Sequence, residues 1–289
     1  MPTQCDGGHP MPIPNARTAM RGYPRNRLTD RTYAAPVITK TAWSRGYAIS
    51  YEDAGTGSTI VLLPGWTMSA GDWRDAGYVD RLATSHRVLN VDPLGNGLSD
   101  KPHESVAYRH RDVAADVVAV LDAEGISRAV VWGYSRGAYL ALAVGTEFPG
   151  RVGGVILGGG ADLTEEVAPG GEPEPLDVAM GNGDFEALWD KYAFSMEDRR
   201  YDAEVNDPRA LGAMGLAVAE FGISADCSGV TAPALVYCGG EDRPAENRKT
   251  AVALRAEFRI LPGLDHLRLF SEVDLVMPMV LGFLESAGI

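Results

Sequence analysis

The feature that most constrains this chain is an alternation of short, wholly apolar runs with segments of helical spacing. Ile60-Val61-Leu62-Leu63 has no polar residue to face water. Such a run is expected of a strand covered on both faces. Arg87 to Val91, Ala129 to Trp132, Val152 to Leu157, Ala234 to Cys238 and Phe258 to Leu261 read as further strands. An earlier strand, Ala48 to Tyr51, closes on the turn signal Ala54-Gly55-Thr56-Gly57. Between the strands, Val113, Val117, Val120 and Leu121 recur at helical spacing up to Gly125. Ala138 to Phe148 reads as a helix stopped by Pro149, and two more helices are expected near Ala245 to Leu254 and Leu267 to Glu285. A βαβα rhythm of this kind predicts an α/β protein with a doubly wound, mostly parallel sheet.

Two regions depart from the rhythm. Residues 1–36 carry Pro2, Pro10, Pro12, Pro14 and Pro24 with several arginines and few large apolar residues. That composition cannot bury a core, so the segment reads as a mobile or wrapping arm. Residues 162–227 open with a Pro/Gly/Glu-rich loop and continue with helix-like stretches near Phe185 to Phe194 and Arg209 to Phe221. They read as a small helical cap inserted into a core made of residues 37–161 and 228–289.

Charge and composition narrow the function. The 289 residues carry a formal net charge of −13, which repels phosphate backbones and argues against a nucleic-acid partner. No apolar run is long enough to span a membrane, and no secretory apolar core is present. Cys5, Cys227 and Cys238 have no metal-type spacing. A cytoplasmic enzyme is expected, with no cofactor, no metal and a small-molecule substrate.

The chemistry centres on Gly133-Tyr134-Ser135-Arg136-Gly137, a G-x-S-x-G run placed between an apolar strand and a helix. A serine on that turn projects its hydroxyl, and the glycines remove side chains that would strike the neighbouring strand and helix. Serine is a weak nucleophile and needs a base held by an acid. His266 is the only histidine beyond Asp242, and both follow strands. Their order after Ser135 is the one expected of a nucleophile, acid and base on this turn. Asp242 is ranked ahead of Asp162 and Glu241 as the acid. Asp265 reads as structural. The oxyanion hole is expected from the backbone N–H groups of Arg136 and of Trp66 in Leu63-Pro64-Gly65-Trp66-Thr67. The Arg136 side chain is expected to point away and pair with a carboxylate, the sharper alternative being that it attracts a substrate carboxylate.

The segments VLLPGW, DPLGNGLSDKP, GYSRG with its strand, and GGEDRP followed by LPGLDH occur in that order. Together they resemble the α/β-hydrolase superfamily, in its capped esterase and non-haem perhydrolase-like branch, from about Gly46 onward. The resemblance implies an acyl-serine hydrolase of carboxylic esters or lactones with the triad Ser135, Asp242 and His266. It implies that the loop Asp92 to Ser99 is structural. Alternatives on the same fold are a carbon–carbon bond hydrolase or cofactor-free lyase, a thioesterase or acyltransferase, and a non-enzymatic receptor. Trp66, Trp189, Tyr192, Phe194, Met196 and Met214 are the expected apolar lining of the substrate pocket. A serine where epoxide hydrolases and haloalkane dehalogenases need a carboxylate argues against those activities.

Overall fold

The computed structural model describes residues 37–160, 162–192, 196–224 and 226–289, without the side chains of 192 and 196–198. Its frame is an eight-stranded sheet in the order β1-β2-β4-β3-β5-β6-β7-β8. The strands are β1 (Ile38–Ser44), β2 (Tyr47–Gly55), β3 (Thr59–Leu63), β4 (Arg87–Val91), β5 (Ala129–Tyr134), β6 (Val152–Gly158), β7 (Ala234–Gly239) and β8 (Glu257–Leu261). β1 and β2 form an antiparallel hairpin, β2 pairs antiparallel with β4, and every later pairing is parallel. The strand β1 has no counterpart in the sequence reading. It is an edge strand with much of its surface exposed, including Trp43, so it lacks the apolar run that marks the central strands.

The apolar runs of the central strands are buried on both faces because helices cover both, while β8, at the sheet edge, leaves Arg259 and Ile260 exposed. Val61 and Leu63 point to one core layer, while Ile60 and Leu62 point to the other. In β5, Val131 joins the first layer, and Val130, Trp132 and Tyr134 the second. The first layer is closed by α3 (His110–Ala123) and α4 (Arg136–Glu147). The second is closed by α1 (Ala70–Asp75), α2 (Tyr78–Leu82), α10 (His266–Ser271) and α11 (Val273–Ser286). α9 (Pro244–Leu254) joins β7 to β8. Under the sheet's C-terminal edge sits an aromatic cluster. Trp73 meets Tyr78, Trp132 and Phe270 edge-on at centroid separations of 4.9, 5.1 and 4.9 Å, a favoured geometry for ring quadrupoles.

Between β6 and β7 the described residues form four helices, α5 (Pro175–Gly181), α6 (Phe185–Tyr192), α7 (Met196–Val205) and α8 (Pro208–Phe221). The sequence reading anticipated the second and fourth. α7 is rich in charge, MEDRRYDAEV, and offers no apolar stripe to detect. α8 carries the stripe Ala210, Leu211, Ala213, Met214 and Ala217, all buried. Asp207 caps it by accepting from the Arg209 and Ala210 backbone N–H groups. A bridge between Val167 and Ile223 closes the base of the excursion.

Candidate active site

The turn from β5 into α4 is built around close backbone approach. A Cβ on Gly133 would lie 1.9 Å from the Gly137 carbonyl oxygen, and one on Gly137 would lie 2.1 Å from that of Leu63. Both positions therefore require glycine. Between them Ser135 has φ +56° and ψ −120°, a conformation that L-residues adopt only when their surroundings impose it. Its N–H donates to the Gly158 carbonyl at 2.8 Å, which ties the strained residue to β6.

Asp242 is presented by the loop after β7, and His266 by the helix that follows the loop after β8. His266 is the first residue of α10, one residue into the helix rather than on the loop itself. Asp265 caps that helix by accepting from the Leu267 and Arg268 N–H groups at 3.0 and 2.8 Å. The helix is anchored by Leu269 and Phe270 in the aromatic layer. Tyr134, next to the serine, donates its hydroxyl to the His266 carbonyl oxygen. Its ring lies 5.3 Å from the imidazole. His266 Nε2 is 3.0 Å from Ser135 Oγ, and Nδ1 is 2.8 Å from Asp242 Oδ2. With the hydroxyl donating to Nε2, the ring proton sits on Nδ1 and is donated to the carboxylate. Asp242 is only 4% exposed. Asn247 holds its loop by donating to the Gly160, Asp242 and Arg243 carbonyls.

The other two carboxylates considered for this role stand elsewhere. Asp162 accepts from Lys249 at 2.9 Å and from the Thr164 hydroxyl at 2.5 Å, and the lysine holds its carboxyl below the usual range. Glu241 is exposed. Cys238 is fully buried, and burial pushes its thiol up to about 12, which leaves it unreactive.

The loop after β3 is pinned from two sides. Asn96 donates to the Trp66 and Met68 carbonyls at 2.9 and 2.8 Å. Asp92 accepts from the Ala70 and Leu98 N–H groups. From the helical excursion, Asn206 donates to the Thr67 carbonyl, and the Leu211 carbonyl accepts from the Trp66 indole at 3.1 Å. Neither the Trp66 nor the Arg136 backbone N–H has an acceptor among the described residues. Asn96 lies in the loop Asp92 to Ser99 expected to be structural, whereas nothing in the sequence singles out Asn206, because a bracing amide has no local signature.

Ser135 opens on a cavity of about 540 Å³ lined by residues that include Trp66, Arg136, His110, Tyr139, Asp177 and Met214. Of the expected lining, Trp66 and Met214 are present. Trp189 is not: its ring stacks on Phe185 at 5.1 Å and lies under the Arg199 guanidinium. Its large face is used up within the helical excursion. Phe194 lies outside the described residues, as do the side chains of Tyr192 and Met196.

Arg136 corrects the expectation set for it. It lines the cavity and makes no ion pair or side-chain hydrogen bond among the described residues. The physical reason is its place as first residue of α4. Side chains on a helix lean toward its N-terminal end, and here that end faces the cavity.

A family profile for the alpha/beta hydrolase fold matches residues 58–194. The chain is 30% identical over 234 residues to the 2-hydroxymuconate semialdehyde hydrolase of Pseudomonas sp. (strain CF600), an alignment covering 72% of this chain and 79% of that protein. The enol-lactonase of Burkholderia xenovorans LB400 shares the fold at TM-score 0.73 and 23% identity, over 85% of this chain and 100% of that one. Est816, an N-acyl homoserine lactone degrading enzyme, superposes at TM-score 0.66 with 25% identity, over 84% and 100%. The sheet order, the serine turn from β5 into α4 and a likeness that runs through most of the chain agree: this protein belongs to the α/β-hydrolase family.

Proposed function

We propose that the protein is a serine hydrolase that cleaves a carboxylic ester or lactone through an acyl-serine intermediate. The observation that carries this reading is the unbroken chain of hydrogen bonds from Asp242 through His266 to Ser135, at 2.8 and 3.0 Å. In the proposed cycle His266 takes the Ser135 proton as Oγ attacks the carbonyl carbon. Asp242 keeps the imidazole in the reactive tautomer and stabilises its charged form. The Trp66 and Arg136 backbone N–H groups receive the oxyanion. His266 then gives its proton to the leaving oxygen, and a water activated in the same way frees the acid. Residues 162–227 act in this reading as a cap over the cavity, and residues 37–161 and 228–289 as the core that carries the chemistry.

The likeness to the semialdehyde hydrolase favours one second reading, hydrolysis of a carbon–carbon bond by the same residues. Product analysis separates the two. A fluorophosphonate probe is expected to label Ser135 and no other residue. A panel of esters, lactones and thioesters of graded chain length is expected to yield turnover that is lost in Ser135→Ala. Labelling elsewhere, or turnover that survives the substitution, would overturn the reading.

A further inference from the structure

Three polar side chains in the cavity beside Ser135 have no use in the reaction cycle above. Arg136 carries a full charge, is half-buried where it lines the cavity and makes no ion pair or side-chain hydrogen bond among the described residues. It stands in the first turn of α4, where the helix dipole disfavours a cation. A partly desolvated charge that forms no ion pair, placed against a dipole, is held at a cost. His110, first residue of α3, lines the same cavity with no hydrogen bond to its ring among the described residues. Asp177 of α5 faces the cavity with its carboxylate lying over Gly215, where any Cβ would meet it at 1.9 Å. It influences Arg136 through space but forms no ion pair with it. The other charges on the lining, Glu172, Glu174 and Arg243, are exposed, where water screens them.

We propose that Arg136, with the His110 ring beside it, is a binding subsite for a carboxylate carried by the substrate a few carbons from the scissile carbonyl. This inference rests on the serine-hydrolase reading for its substrate class. A guanidinium offers several donors in a planar fork that matches a carboxylate, and the neutral imidazole can add one N–H. Arg136 is thereby both a backbone donor to the oxyanion and a side-chain anchor for the rest of the acyl group. The two functions lie on one residue next to the nucleophile, so anchoring the anion orients the carbonyl over Ser135. Asp177 balances the charge while the site is empty and competes with the substrate for the same guanidinium.

The test compares an aryl butyrate with the aryl hemi-glutarate, which differs by a terminal carboxylate. The wild type is expected to prefer the hemi-glutarate in kcat/KM. Arg136→Gln lowers that preference by about 10–100-fold, the range for a lost charge-assisted bond, and Arg136→Lys retains part of it. Asp177→Asn moves the preference the other way. Separately, glutarate is expected to bind Ser135→Ala, measured by calorimetry, and to shift the His110 ring resonances in the same titration. A wild type that prefers the neutral ester, or an Arg136→Gln ratio equal to that of the wild type, would overturn the subsite. If neither ester reacts, the hydrolase reading fails, and glutarate binding to Ser135→Ala still decides the subsite: no binding, or binding unaffected by adding Arg136→Gln, rejects it.

Discussion

Two sets of polar side chains meet beside the cavity, the first reaching it through Ser135, and they are built in opposite ways. In the first, Ser135, His266 and Asp242 are joined to one another, and their loops are held by Tyr134, Asn247 and Asp265. In the second, Arg136, His110 and Asp177 stand in the same space without a hydrogen bond or ion pair to a side chain among the described residues. Buried polar groups in folded proteins are nearly always satisfied. A satisfied set holds its geometry with nothing bound, as pre-organised chemistry requires. The second set, half-buried and open to the cavity, is in the proposal above a surface that a ligand completes. Ser135 and Arg136 are neighbours in the chain, yet they fall on opposite sides of this division.

The contrast can be broken by substitution. The largest effect is expected at the satisfied set, where Ser135→Ala should lower kcat by about 10⁶-fold, the scale for losing a triad nucleophile. Retained turnover would remove Ser135 from the mechanism. Next, Asp242→Asn should cost on the order of 10⁴-fold, because the wrong imidazole tautomer is then favoured. Asp162→Asn should leave kcat within a few-fold, since its carboxylate is occupied by Lys249 and Thr164. Side-by-side kinetics of the two variants decide the acid, and a reversed pattern would exchange their roles.

A smaller effect is expected where the satisfied set is braced rather than formed. Asn96→Ala frees the Trp66 and Met68 carbonyls of the loop after β3. It should lower kcat by up to about 10²-fold, less than or equal to the loss of one oxyanion donor. KM should change little, and a loss confined to KM would place Asn96 in substrate binding instead.

The smallest effect concerns the unsatisfied set. Burial, helped by the Arg136 charge, lowers the His110 imidazole to about 4 from an ordinary 6.5. Between these values the unfolded chain binds the proton and the folded one does not. Stability attributable to His110 is therefore complete above pH 6.5 and is lost as pH falls toward 4. Solvent in the cavity limits this contribution to about 2 kcal/mol or less. Denaturant unfolding at pH 7 and pH 5 should show a smaller loss for His110→Asn than for the wild type. Equal losses would mean that the ring is hydrated or paired in solution.

What could be read from the sequence followed from how local the cause was. The runs in β3, β5, β6 and β7 were legible because burial on both faces leaves no polar position. β1 was not, since its exposed face carries Thr39, Thr41 and Trp43. The helix α7 was missed because it has no apolar stripe, and α1 and α2 because each is short. Within the site, Ser135 was legible because the two glycines around it answer to a local collision. The long side chain of Arg136 was misjudged, since its direction depends on which end of α4 meets open space. Trp189 was misplaced for a related reason: a large ring in a helix is equally at home in a cavity wall or stacked on Phe185.

The sequence by itself determined the parallel α/β sheet, the serine turn and the order in which serine, carboxylates and histidine follow it. These depend on hydrophobic period, on glycine sterics and on chain order, all of which are local or linear. Only the tertiary structure decided which carboxylate meets His266, which amides brace the loop after β3, and that Arg136 faces the cavity without an ion-pair partner among the described residues. Those outcomes depend on distances between residues far apart in the chain, and on electrostatic fields that exist only once water has been excluded between them.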